Sequence, residues 1–64
     1  MRMTRIILVK NLDENNVDDL VDELVKLKLN FQISLTNKAI IVDGDNDAAY
    51  QIRVLLQENG FIIE

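Results

Sequence analysis

The carboxylates of Asp43, Asp45 and Asp47 have the spacing in this sequence that comes closest to a recognisable binding chemistry. Alternating carboxylates are typical of loops that bind a hard cation such as Ca²⁺ through oxygen ligands. A calcium loop beginning at Asp43 would need glycine at its sixth position and glutamate at its twelfth, where this chain has Ala48 and Val54. We therefore expect the three aspartates to form a turn and cap a helix. Weak binding of a divalent cation is the alternative.

Catalytic chemistry has few candidate side chains here. The chain contains neither histidine nor cysteine, so it has no imidazole base for neutral pH and no thiol nucleophile. Paired carboxylates can transfer protons within a desolvated cleft, but a domain of this size has little room for one. The sequence therefore predicts a protein that is not an enzyme and binds no cofactor.

Acidic residues outnumber basic ones by 11 to 7, which gives a net charge of −4. Nucleic acids and anionic membranes attract basic surfaces, so we expect neither as a partner. No apolar run approaches the ~18 residues of a membrane-spanning helix. The apolar run at 6–9 is also shorter than the ~7–15 residues of a signal-peptide core. The prediction is a single cytoplasmic domain covering residues 1–64.

The first half of the chain predicts a strand, a helix and a second strand. Residues 3–10 are rich in β-branched side chains and lead into a polar cluster, which indicates a strand followed by a loop. Asp13 or Asn15 is placed to cap the helix that follows. Residues 30–35 alternate between apolar and polar side chains, as a half-buried strand does. The buried face of the helix is predicted from helical spacing and comprises Val17, Leu20, Val21, Leu24 and either Leu27 or Lys28.

The second half predicts a strand, a helix and a last strand. A tight turn at 36–38 leads into a strand over 39–43, so the two middle strands form a hairpin. A second helix follows, and Gly60 is suited to end it in a left-handed C-cap. Residues 61–64 then form the fourth strand. The apolar face of the second helix comprises Ala48, Ala49, Ile52, Leu55 and Leu56.

The predicted order of elements is therefore βαββαβ, which is the ferredoxin-like arrangement. This is an α+β fold with two layers. Its four strands form an antiparallel sheet in the order 4-1-3-2, and right-handed connections place both helices on one face of that sheet.

At this level the chain resembles the heavy-metal-associated domains, the small copper-chaperone family. The resemblance rests on residues 38–45, KAIIVDGD, and residues 58–64, ENGFIIE, which are similar to the closing hairpin and last strand of that family. The family binds a soft metal ion through two cysteines in the loop after the first strand. In this chain Leu12 matches the buried methionine of that loop, while Glu14 and Val17 stand at the cysteine positions. The resemblance therefore implies a member without the metal site.

Two other families share the layout. ACT domains bind amino acids and regulate enzymes, and their ligand usually lies near the first loop, often beside a glycine. Residues 42–61 fit that family comparably, although no glycine occurs in residues 1–43, so ACT-like binding of a small molecule is an alternative function. RNA-recognition motifs need aromatic side chains on the first and third strands. Residues 3–10 and 39–43 contain none, which argues against that family.

The sheet face that the helices leave open carries the most informative pattern. Alternation along the strands places four apolar side chains on this face, namely Ile6, Leu8, Ile41 and Ile62. In the order 4-1-3-2 their strands are neighbours, so the four form one patch. Contiguous apolar patches mark interfaces, and we expect a protein partner or a homodimer to bind here. The alternative is that they are the isolated apolar side chains common on protein surfaces.

A second candidate surface is acidic. The outer face of the first helix carries Asp18, Asp19, Asp22 and Glu23. Such a face is usually solvated, and the alternative is a docking surface for a basic partner.

Overall fold

Three strands and two helices make up the regular structure of residues 3–64, the part of the chain that the computed structural model describes. In chain order they are β1 (Met3–Leu8), α1 (Val17–Val25), β2 (Asn30–Ser34), β3 (Ala39–Gly44) and α2 (Asn46–Glu58). The predicted α+β class, with two helices and an antiparallel sheet, is confirmed.

β3 lies at the centre of the sheet, between β1 and β2, and pairs with both of them in the antiparallel sense. Its composition suits this position, because a central strand has neighbours on both sides and Ala39, Ile40 and Val42 are all buried. In the two registers Ile6 lies opposite Ile41, and Ile41 lies opposite Gln32. These three residues form one row across the sheet.

A single apolar core joins the sheet to both helices. The sheet contributes one set of alternating side chains, and their neighbours in β1, Ile6 and Leu8, are exposed instead. Both helices therefore pack against the same face of the sheet. The core residues are Ile7, Val9 and Leu12 near β1, Ile40 and Val42 of β3, Leu20 and Leu24 of α1, and Ala48, Ala49, Ile52 and Leu56 of α2.

The fourth strand expected at 61–64 is not shown as a strand, and the sheet of residues 3–64 has three strands in the order β1-β3-β2. One isolated antiparallel bridge joins Ile63 to Val9. The strand pairing stops after this bridge because the side-chain carboxamide of Asn11 bonds to the main-chain groups that a longer ladder would use. Asn11 Oδ1 accepts the N–H of Ile62 at 2.8 Å, and Asn11 Nδ2 donates to the carbonyl of Gly60 at 3.2 Å.

Both ends of α2 follow from the sequence. Asp45 is the N-cap, and its Oδ1 accepts the N–H of Ala48 at 3.0 Å, which satisfies one of the free donors of the first turn. At the other end Gly60 has a φ of 82°, and the N–H of Phe61 reaches back to the carbonyl of Leu56 at 2.9 Å. This is a Schellman ending, which uses glycine because an L side chain disfavours positive φ.

Candidate functional site

The open face of the sheet is the surface that sequence reasoning selected, and the structure places the selected residues on it. Ile6 and Leu8 of β1 are 63% and 42% exposed, whereas Ile7 between them is buried. Ile41 is half-buried because it lies in the same row between Ile6 and Gln32. Strand periodicity therefore accounts for which side chains point outwards.

Ile62 joins this set across the isolated bridge. The pairing of Val9 with Ile63 puts Ile62 opposite Lys10, so its side chain lies diagonally across from Leu8, within reach of a long apolar residue. Ile62 is 54% exposed. We refer to Ile6, Leu8, Ile41 and Ile62 together as the open-face patch.

Polar residues surround the patch at both ends of the strands. At one end Asp43 lies opposite Thr4 on one side and Asn30 on the other, beside a shallow depression of about 520 Å³ that Ile41 also lines. At the other end Lys38 Nζ donates to the carbonyl of Lys10 at 3.3 Å. By alternation Lys10 follows Leu8 on the open face, so the face is apolar at its centre and carries Asp43 at one end and Lys10 at the other.

The loop between β1 and α1 is closed by its own hydrogen bonds. Asp13 Oδ1 accepts the N–H groups of Asn15 and Asn16 at 2.8 and 3.0 Å, and Asn16 Oδ1 accepts the N–H of Asp13 at 2.9 Å. These reciprocal bonds close a turn over residues 13–16, directly before the first residue of α1. The expectation that Asp13 or Asn15 caps α1 is wrong, because the N-cap is Asn16 and it makes no side-chain capping hydrogen bond.

The three positions that correspond to a metal loop differ in their surroundings. Leu12 is buried in the core, where the resemblance places a buried methionine. Val17 is half-buried and packs against the core. Glu14 is exposed. The structure therefore does not bring Glu14 and Val17 together as a pair of ligands.

Asn11 is a structural residue that sequence reasoning missed. Besides its two side-chain bonds to Gly60 and Ile62, its carbonyl accepts from Asn16 Nδ2 at 2.7 Å. Asn11 thus ties the loop before α1 to the segment after α2, which positions Ile62 within the open-face patch. Both partners lie about fifty residues away in sequence, and local patterns carry no sign of such a contact.

The aspartates at 43, 45 and 47 do not converge on one point. Asp45 caps α2, Asp43 belongs to β3, and Asp47 is an exposed residue in the first turn of α2. Across residues 3–64 no group of three or more carboxylates is arranged to hold a metal ion. The capping role expected of this segment is therefore filled by Asp45.

The acidic face of α1 borders a groove of about 410 Å³, whose lining includes Asp19, Asp22, Glu23 and Phe61. Glu23 pairs with Lys26 at 2.8 Å, and this hydrogen bond and the charge of Glu23 raise the pKa of Lys26 above its ordinary value. The other two carboxylates of the groove, those of Asp19 and Asp22, would repel the carboxylate of a free amino acid, the ligand that an ACT-like domain binds. Asp18 does not line the groove.

Arg5 is the second residue that sequence reasoning missed. It alternates with Ile6 and so lies on the helix-covered face of β1, where its side chain is half-buried. Its Nε is buried and has no hydrogen-bond partner. Its Nη2 makes a long, weak hydrogen bond with Met3 Sδ at 3.9 Å. Strand alternation predicts the direction of this side chain but not the lack of a partner.

Comparisons with known proteins add no relative. No family model matches the chain, and no match was found among the curated proteins or the solved structures. In residues 3–64 the longest helix, α2, has 13 residues, and neither helix has the length and apolar character to cross a membrane.

Proposed function

We propose that this chain is a non-catalytic interaction module whose open-face patch binds a second copy of the same chain. The observation that carries the proposal is the row formed by Ile6 and Ile41, which lie directly opposite each other on the face that the helices leave uncovered. Leu8 and Ile62 extend this row along the strands. Contiguous apolar residues on an otherwise polar face are typical of protein interfaces.

The size of the face predicts the strength of the interaction. Six-residue strands are roughly 20 Å long, and three strands plus the bridged segment are roughly 20 Å wide. The footprint is therefore on the order of 400 Å² per copy, about 800 Å² in total, below the ~1,200 Å² of the smallest standard interfaces. We expect a weak, reversible dimer rather than an obligate one.

The charges at the ends of the face support a second copy as the partner. A symmetric dimer uses the same surface on both copies. If the two-fold axis lies across the strands, Lys10 of each copy meets the end of the other copy that carries Asp43. An axis along the strands would instead bring the two Lys10 side chains together. We therefore propose the crossed axis, with opposite charges facing each other.

The proposal also concerns the strand order of the fold and its family. In a ferredoxin-like domain the fourth strand lies beside the first, and the bridge between Val9 and Ile63 is on that side of β1. We propose that the fold is ferredoxin-like in the order 4-1-3-2, with residues 61–64 as a rudimentary fourth strand. We also propose kinship with the heavy-metal-associated domains without their metal site, and a cytoplasmic location.

Sedimentation equilibrium from micromolar to millimolar protein tests the proposed dimer. Wild-type protein is expected to approach the mass of a dimer at the highest concentrations, whereas Ile41→Lys and Leu8→Lys remain monomeric. A wild-type chain that stays monomeric at millimolar concentration contradicts the second copy as the partner. Equal association of wild type and both variants contradicts the patch itself.

A further inference from the structure

Within residues 3–64 most of the outer edge of β1, on the side away from β3, is unpaired. Main-chain groups alternate in direction along a strand. The N–H of Val9 points towards the β3 side and donates to Lys38 at 2.8 Å, whereas the N–H of Lys10 points the other way and donates to Ile62 at 2.8 Å. By this alternation the N–H and C=O groups of Thr4 and Ile6 point to the outer edge.

The C-terminal segment covers only one end of this edge. The N–H of Glu64 donates to the carbonyl of Leu8 at 2.9 Å, and this bond and that of Lys10 complete the pairing on the outer side. Within residues 3–64 no strand lies beside Thr4 and Ile6 on that side of β1. The edge therefore has main-chain donors and acceptors in place for a further strand.

Arg5 lies between these two residues and supplies a second, independent feature. Its Nε is buried without a hydrogen-bond partner, although a guanidinium group pairs strongly with a carboxylate through two parallel hydrogen bonds. The main chain of Arg5 faces β3, so a residue opposite it on an added strand would form a non-hydrogen-bonded pair. In such pairs the side chains are closest, with Cα atoms about 4.5 Å apart.

We propose that this edge binds an extended peptide segment that carries a carboxylate opposite Arg5. The segment runs antiparallel to β1, its main chain pairs with Thr4 and Ile6, and its Asp or Glu side chain takes the guanidinium of Arg5. A charged side chain at a strand edge disfavours pairing with a purely apolar strand. Arg5 therefore favours segments that carry a carboxylate over segments that lack one. This site uses main-chain groups in the plane of the sheet and is separate from the open-face patch.

Two synthetic peptides test the proposal, both acetylated and amidated. One has the sequence Thr-Thr-Val-Glu-Val-Thr-Thr, and the other has Gln in place of Glu. Titrated into the ¹⁵N-labelled chain, the Glu peptide is expected to shift the amides of Thr4 and Ile6 and to slow their hydrogen exchange. The amides of Arg5 and Ile7 already bond to β3 and serve as internal controls. The Gln peptide is expected to bind about tenfold more weakly, because it loses a charge-assisted bond.

Variants separate this site from the proposed function. Arg5→Gln is expected to bind both peptides equally weakly, and Ile41→Lys is expected to bind the Glu peptide as wild type does even though it no longer dimerises. Two results would overturn the proposal, namely equal affinity of wild type for the two peptides, or shifts centred on Ile41 and Gln32 without slowed exchange at Thr4 and Ile6. Neither result bears on self-association through the open-face patch.

Discussion

Replacing Asn11 with alanine tests whether its side-chain carboxamide holds the loop before α1 against the segment after α2. The substitution removes the bonds to Gly60 and Ile62 and leaves the main-chain carbonyl that Asn16 uses. A hydrogen bond contributes about 0.5–1.5 kcal/mol net, so the two bonds together predict a loss of about 1–3 kcal/mol in the free energy of unfolding. A domain of this length has roughly 3–10 kcal/mol of stability, so the loss is a substantial fraction.

Urea denaturation followed by circular dichroism measures this effect. With an m-value of about 1 kcal/mol/M for a small protein, the midpoint of Asn11→Ala is expected roughly 1–3 M below that of wild type. Asn15→Ala is the matched control, since Asn15 contributes its main-chain N–H to the loop, and its midpoint should move by less than about 0.5 M on the same m-value. In the folded variant the amide of Ile62 should also exchange faster. Equal midpoints for the two variants would show that the side-chain bonds of Asn11 to Gly60 and Ile62 do not stabilise the domain.

Three further substitutions test local features of the fold by the same denaturation assay. Asp13→Ala removes the oxygen that accepts two N–H groups in the turn before α1 and should cost about 1–3 kcal/mol; Gln51→Ala, at an exposed position of α2, is the control, and an equal loss in both would contradict a stabilising role of this turn. Gly44→Ala would place a Cβ 2.9 Å from the Cβ of Ala48 and should destabilise the domain by about 1–3 kcal/mol; adding Ala48→Gly should recover part of this loss, and simple additivity would argue against the clash. Gly60→Ala forces an L side chain to positive φ and should cost about 1–2 kcal/mol, whereas Gly60→Asn should cost less because asparagine tolerates this conformation.

The features that could be predicted from the sequence are those that depend on local periodicity and local chemistry. Two-residue alternation is enough to place Ile6 and Leu8 outside and Ile7 inside. The N-cap at Asp45 and the left-handed Gly60 depend on short-range preferences of single residue types. Each of these features is determined within a few residues along the chain, so the pattern alone is sufficient.

The features that could not be predicted depend on contacts between distant segments. Residues 61–64 have the composition of a strand, yet pairing stops after one bridge because Asn11 occupies the main-chain groups that a ladder would use next. Asn11 belongs to a polar loop cluster and is not distinguished there from its neighbours. The unpaired Nε of Arg5 likewise depends on what packs around it, which alternation along β1 does not specify.

The central claim is that the open-face patch binds a second copy of the chain, and a dilution series of amide chemical shifts tests it most directly. Ile6 is 63% exposed, and burying a whole isoleucine contributes roughly 1.5–3 kcal/mol, so its burial in the dimer is worth about 1–2 kcal/mol per copy. Because a symmetric interface contains the residue twice, Ile6→Lys should weaken dimerisation by at least about 30-fold.

The series compares wild type, Ile6→Lys and Tyr50→Lys. Tyr50 is 67% exposed on α2, so its substitution changes the charge equally but away from the sheet. We expect concentration-dependent shifts at the patch in wild type and Tyr50→Lys, and none in Ile6→Lys. Shifts that are absent from wild type at millimolar concentration, or that persist unchanged in Ile6→Lys, would contradict the proposed dimer.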